Sequence, residues 1–240
     1  MADERVVVVT GASRGLGSAV AQVAVERGLG VGACSRTVPS VQPSDRVVVG
    51  QFDVADGAAV EAFAGEVLAK LGRIDAWINN AGLLAPIGKL AEVDPAEFQT
   101  LVDANVMGVF HGSATFARIA RGQSGPATLL NISSGAGRNA YWGWSAYCAS
   151  KAAVDRMSEC IALEESSLRV YSVAPGIIET GMQSLIRQQT TETFQDVDKF
   201  KQLHADGALV EPRDAAARLL DLALSSADDG PGEVCLDLRD

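Results

Sequence analysis

RVVVVTGASRGLG, residues 5–17, decides the fold: a β-branched run stops at a glycine-rich turn, and a helix-period segment begins inside that turn. Four consecutive valines leave no polar face, which suits a strand covered on both sides in a parallel sheet. Behind the turn Leu16, Ala19, Val20, Val23 and Ala24 share one helical face while Ser18, Gln22 and Glu26 point away, and Gly28 ends the helix. Gly11, Gly15 and Gly17 let the chain leave the strand tightly. A side chain there would hold a pyrophosphate away from the amides at the helix N-terminus. An ordinary strand-to-helix turn uses glycine as well, so this loop needs its context.

The same alternation continues along the chain. GVGAC (30–34), RVVV (46–49), IDAWI (74–78), ATLLNI (127–132), LRVYSV (168–173) and EVCLDL (233–238) read as further strands. Amphipathic stretches cover 56–71, 95–120, 146–165 and 213–225. Right-handed β-α-β crossovers wind such a pattern into a Rossmann-type doubly wound parallel sheet of about seven strands with helices on both faces. With no repeat, low-complexity stretch or long linker, residues 1–240 are expected to form a single domain. Residues 177–208 break the rhythm after a Pro-Gly turn and are expected to lie at the carboxyl ends of the last strands as a substrate lid.

Composition narrows the partners. The chain has 20 Lys+Arg against 30 Asp+Glu, a formal net charge of −10, so phosphate backbones and anionic lipids repel it. A small-molecule substrate is expected, with no nucleic acid and no membrane. Hydrophobic residues make up 48% and charged residues 21%, which predicts a folded core throughout. MADERVVVVT lacks the apolar length of a signal peptide or membrane span. Cys34, Cys148, Cys160 and Cys235 are scattered in apolar surroundings, which reads as buried free thiols and a cytoplasmic location. His111 and His204 have no ligand-spaced companions, so no metal site is expected and both read as helix-surface histidines.

A NAD-binding fold of this kind carries an acid at the end of its second strand to hold the ribose 2′-hydroxyl. Here that end reads Cys34-Ser35-Arg36-Thr37. Arg36, helped by Ser35 and by Arg14 of the glycine loop, would neutralise a 2′-phosphate, which favours NADP(H). Solvated loop arginines are the alternative.

Tyr147 and Lys151 in YCASK are four residues apart, on one face of a helix. A tyrosine of pKa near 10 must be depressed by about three, roughly 4 kcal/mol, to exchange a proton near neutral pH, and a nearby ammonium has the right sign. Ser134, in NISSGAG, could hydrogen-bond a substrate carbonyl. Spacing alone leaves open a half-buried aromatic beside a snorkelling lysine.

Taken together, TGASRGLG (10–17), Asp53 in FDV, NNAG (79–82), Asn105 in NVMG, NISS (131–134), YCASK (147–151) and APG followed by Thr180 occur in an order that resembles the short-chain dehydrogenase/reductase family. The resemblance spans essentially the whole chain. It implies that Tyr147 is the general acid, that Lys151 lowers its pKa and holds the nicotinamide ribose, and that Ser134 orients the carbonyl. Asn105 would anchor a water linking Lys151 to solvent. Gly11, Ser13, Arg14, Gly15, Leu16, Gly17, Ser35 and Arg36 would hold the cofactor. So would Asp53 at the adenine edge and its neighbour Val54, Asn80, Ala81 and Gly82 along the cofactor, Pro175, Gly176 and Ile178, and Thr180 at the carboxamide or a phosphate oxygen. A homodimer or homotetramer is implied, with 95–120 a candidate interface.

SSGAGRNAYWGWSAYCASKAAVDRMSECIALEE and APGIIETGMQSLIR further resemble the sepiapterin-reductase-like branch, in particular its fungal and bacterial benzil reductases, whose substrates are α-dicarbonyls. Tyr141, Trp142, Gly143 and Trp144, with Leu83, Leu84, Ile177, Ile178 and Met182, would form an apolar, partly aromatic substrate wall. Packing of Trp142 and Trp144 onto the core or a subunit interface is the alternative, and Glu179 is the candidate acid for a pterin. The resulting expectation is an NADPH-dependent carbonyl reductase. A pteridine reductase or alcohol dehydrogenase on the same scaffold stays open, as does a non-catalytic NADP(H) sensor.

Overall fold

The computed structural model describes residues 4–225 and 232–239. Its strands are β1 (Val6–Thr10), β2 (Gly30–Ser35), β3 (Val47–Gln51), β4 (Ala76–Asn79), β5 (Ala127–Ile132), β6 (Leu168–Ala174) and β7 (Cys235–Asp237). All pair in parallel, in the order β3-β2-β1-β4-β5-β6-β7. The helices are α1 (Gly15–Glu26), α2 (Gly57–Leu71), α3 (Pro95–Val102), α4 (Gly108–Gly122), α5 (Ser145–Glu164), α6 (Gly181–Arg187), α7 (Val197–Ala205) and α8 (Pro212–Ala223). The fold class expected from the sequence is the one observed.

Every residue of β1 and β5 is buried, which is why their sequences are unbroken apolar runs. Alternate side chains serve two cores. Val7 and Val9 pack with Val20 and Ala24 of α1 and Leu219 and Leu220 of α8. Val6 and Val8 pack on the other face with Phe63 and Val67 of α2 and Phe116 of α4. A third cluster, outside the sheet, joins Leu84, Trp144 and Tyr147 to Ile186 of α6 and to Phe194, Val197 and Phe200.

Two expectations change. The stretch 95–120 is interrupted by a π turn over Asp103–Met107, because Asn105 is drawn inward by hydrogen bonds to another loop. The last strand is three residues long, since only Ser172, Val173 and Ala174 of β6 offer it partners. All four cysteines are free, but only Cys34 is buried and Cys160 is exposed, as a position on the outer face of α5 dictates. No helix among the described residues is long and apolar enough to cross a membrane.

Candidate active site

Strand order reverses between β1 and β4, where a doubly wound sheet opens a crevice at its carboxyl end. The hydroxyl of Thr10, at the end of β1, accepts hydrogen bonds from the backbone N–H groups of Asn80 and Ala81, both at 3.0 Å. Asn80 Nδ2 returns one to the Thr10 carbonyl at 2.9 Å. These bonds press the loops together so closely that a Cβ on Gly17 would collide with Asn80 Nδ2 and sit 2.5 Å from the Gly11 carbonyl oxygen. Gly11 itself holds φ +71° with its missing Cβ 2.8 Å from Ala81 Cα, so both glycines are demanded by packing. Thr10 was not assigned a role from sequence; its signal was a hydroxyl where the valine run stops.

The crevice fits a dinucleotide. Gly15, at φ +58°, lies close against Thr180, whose methyl would be 3.3 Å from a Cβ there. Ser13 is half-buried, Arg14 is exposed, and Arg14 occupies the N-cap of α1 without a side-chain cap bond. Arg36 is exposed at the end of β2, its Nη1 3.9 Å from Asp53 Oδ2. Asp53 also accepts the Ala55 N–H at 3.0 Å. Ser35 is buried and donates its hydroxyl to the Thr37 carbonyl at 2.5 Å, so its proton already has an acceptor. Leu16 and Ile178 place their side chains in the core and Val54 is buried, leaving those three residues only backbone groups for a cofactor. Gly176, at φ +90° after Pro175, lies under the side chain of Arg239.

Ser134, Tyr147 and Lys151, the expected catalytic residues, come together after β5 and on α5. Tyr147 and Lys151 point the same way from α5, with Lys151 Nζ 5.8 Å from the tyrosine ring centroid. Ser134, which caps the turn after β5 by accepting the Ala136 N–H, lies beside Tyr147 and favours its ionised form. Lys151 Nζ donates to the Ile132 carbonyl at 2.7 Å. The missing Cβ of Gly82 would stand 3.3 Å from Asn105 Oδ1 and 3.7 Å from Lys151 Nζ, so both polar groups border the same gap. Asn105 is buried. Its Oδ1 accepts the Leu83 N–H at 2.7 Å, and its Nδ2 donates to the Leu83 carbonyl and to Ser150 Oγ.

Burial pushes the phenol of Tyr147 up to about 12, and the Ser134 side chain opposes this. Lys151 is itself desolvated, which pulls its ammonium down to about 8, and its Nζ stands over the tyrosine ring.

Next to Tyr147 stands an aromatic wall. Trp144 meets the Tyr147 ring edge-on, with centroids 5.6 Å apart, and its other side stacks on Phe194 at 4.3 Å and 7°. Phe200 of α7 closes on both Trp144 and Phe194. Leu84, Ile177 and Met182 pack with this cluster, in which Trp144 is buried against the core, the alternative left open for it; Trp142 is half-buried outside it, and Ile178 turns into the sheet core instead. The wall therefore draws on Phe194 and Phe200, which the sequence reading passed over because nothing local ties them to Trp144. Glu179, the candidate pterin anchor, is held by Arg187 Nη2 at 2.8 Å and His204 Nδ1 at 2.9 Å. Those bonds hold its carboxylate below the usual range.

Sheet order, glycine loop and the Ser134-Tyr147-Lys151 cluster together define an oxidoreductase of one class, and over residues 5–191 the chain matches the short chain dehydrogenase family, to which it belongs. Enzymes of that family act on carbonyl or hydroxyl groups with a nicotinamide cofactor. The chain is 31% identical to the benzil reductase ((S)-benzoin forming) of Bacillus cereus, over 96% of its own length and 98% of the relative's. To the NADPH-dependent pterin aldehyde reductase of Arabidopsis thaliana it is 30% identical, over 81% and 83%. Among solved structures the KRED1-Pglu enzyme superposes with a TM-score of 0.86 at 29% identity, covering 97% of this chain and 100% of that one.

Proposed function

We propose that this protein is an NADPH-dependent carbonyl reductase whose substrate is a hydrophobic or aromatic α-dicarbonyl. The observation that carries the reading is the convergence of Ser134, Tyr147 and Lys151, with Trp144 edge-on to the tyrosine ring. Reduced nicotinamide, when bound, supplies the hydride. Ser134 holds the carbonyl oxygen, and as hydride reaches the carbon that oxygen takes the proton of Tyr147 Oη, leaving a hydroxyl on the product and a phenolate on the enzyme. The positive charge of Lys151 stabilises that phenolate. A water in the gap bordered by Asn105 Oδ1 and Lys151 Nζ would return the proton from solvent.

For the cofactor, Arg36 and Arg14 supply positive charge where a ribose phosphate would lie, and the Arabidopsis relative is NADPH-dependent by name. For the substrate, the aromatic wall and the Bacillus relative support an aryl dicarbonyl. With Glu179 engaged by Arg187 and His204, a pterin ring has less to hold it. We place the enzyme in the cytoplasm as a homo-oligomer, with residues 177–208 as its lid.

The test is a turnover screen with NADPH and NADH against benzil-type diketones, aromatic aldehydes and sepiapterin, with Tyr147→Phe alongside. Diketones should be reduced fastest, with NADPH. The variant should bind cofactor and lose about 10²–10⁴-fold in turnover. Equal turnover by the variant would end the assignment.

A further inference from the structure

A third ionisable group on α5 has no part in the chemistry above. Asp155 stands one turn beyond Lys151 and is buried with it, on a face packed against β6 where an apolar residue would ordinarily lie. Burying a carboxylate is unfavourable unless hydrogen bonds and opposite charge compensate. Both are present. Ser172 of β6 donates its hydroxyl to Asp155 Oδ1 at 2.5 Å, and Arg138, four residues past Ser134, brings Nε to 4.0 Å from Oδ2.

The same carboxylate joins the two pieces that carry the catalytic groups. Gly137, in the Ser134 loop, lies so near α5 that a Cβ would be 2.5 Å from Asp155 Oδ2 and 3.0 Å from the Lys151 carbonyl. Lys151 Nζ donates to a neutral carbonyl, so nothing it touches there offsets its charge. The groups facing it are Tyr147 on its own helix, Asn105 from the π turn and the Ile132 carbonyl of β5, all uncharged at neutral pH. Asp155 is the anion that raises the affinity of Lys151 for its proton against desolvation. Around Asp155 stand Arg138, Ser172, Cys235 of β7 and Glu159 one turn on, the last paired with Arg156 at 2.6 Å.

We propose that Asp155 is a positioning residue of this active site: it keeps Lys151 charged from one turn away and, through Arg138, clamps the Ser134 loop onto α5. The proposal rests on the reading of Tyr147 and Lys151 as the proton-handling pair. Two substitutions push Lys151 in opposite directions. Asp155→Asn keeps the shape and removes the anion, so Lys151 should lose its proton at lower pH. Arg138→Gln, half-exposed and therefore safer for folding, removes the cation that partly masks Asp155, so Lys151 should lose its proton at higher pH.

The experiment records kcat/KM against pH for diketone reduction by the full-length wild type and both variants. The Lys151 Cε resonance is titrated in parallel by NMR. Expected is an alkaline limb moved down by about one pH unit in Asp155→Asn and up by a smaller amount in Arg138→Gln, with the NMR midpoints following. Asp155→Asn should lose far less activity at pH 6 than at pH 8. Overturning the proposal would take unmoved midpoints in both variants, or in Arg138→Gln alone should Asp155→Asn not fold. So would a uniform loss at every pH, which marks a merely structural role. Should the wild type reduce no carbonyl, the proposed function fails, while the Lys151 titration still decides the role of Asp155.

Discussion

The crevice beside β1 and β4 and the wall beside Tyr147 are built by opposite means. The crevice is backbone and short polar side chains: Thr10, Asn80 and the glycines leave no slack, and a single methyl group would displace main chain. The wall is made of rings. Trp144, Phe194 and Phe200 touch only through π faces and edges, and Phe194 comes from the segment before α7, far along the chain. A site that must hold one invariant dinucleotide is best fixed by tight loops. Rings that slide over one another can accommodate flat substrates of different outline.

That contrast can be broken most forcefully at Phe194. It is fully buried, and Phe194→Ala should remove about 3–5 kcal/mol of packing around the lid. The KM for an aryl diketone should rise several-fold while cofactor affinity stays near wild type. A change in cofactor affinity alone would show that the two regions are not separate. The converse substitution, Gly17→Ala, forces Asn80 or the Gly11 carbonyl aside and should cost about 1–3 kcal/mol in thermal unfolding. Cofactor affinity should fall with it and the KM for ketone should not. Smaller still is Arg36→Asp, which exchanges the proposed phosphate-binding cation for an anion beside Asp53. Its NADPH preference should drop by about 1.5–3 kcal/mol, roughly ten- to a hundredfold, in paired cofactor titrations. A wild type that prefers NADH would remove the basis for that reading.

Legibility from sequence follows the same division. The strands could be read because β1 and β5 are buried along their whole length, and the glycine loop because tight packing demands glycine. Tyr147 and Lys151 could be read from helical spacing, and the structure brings them together with Ser134. What was not legible depends on contacts between distant segments. The π turn exists because Asn105 bonds to Leu83, and the rings of Phe194 and Phe200 reach Trp144 only in three dimensions. Asp155 looked like one more acid on a helix until Ser172 and Arg138 were seen to meet it. The burial that raises the Tyr147 phenol was illegible for the same reason, since helical spacing reveals a nearby cation but not how far both groups are desolvated.

The central claim is that a neutral Tyr147 gives its proton beside a charged Lys151. Its most direct test is the pH dependence of kcat/KM for diketone reduction. Lys151 is charged below about 8 and neutral above, while Tyr147 stays protonated to about 12, so the rate should hold up to pH 7 and fall as pH rises through 8. A rate that climbs steadily from pH 7 to pH 10 would mean that the phenolate is the working form, and would contradict the account.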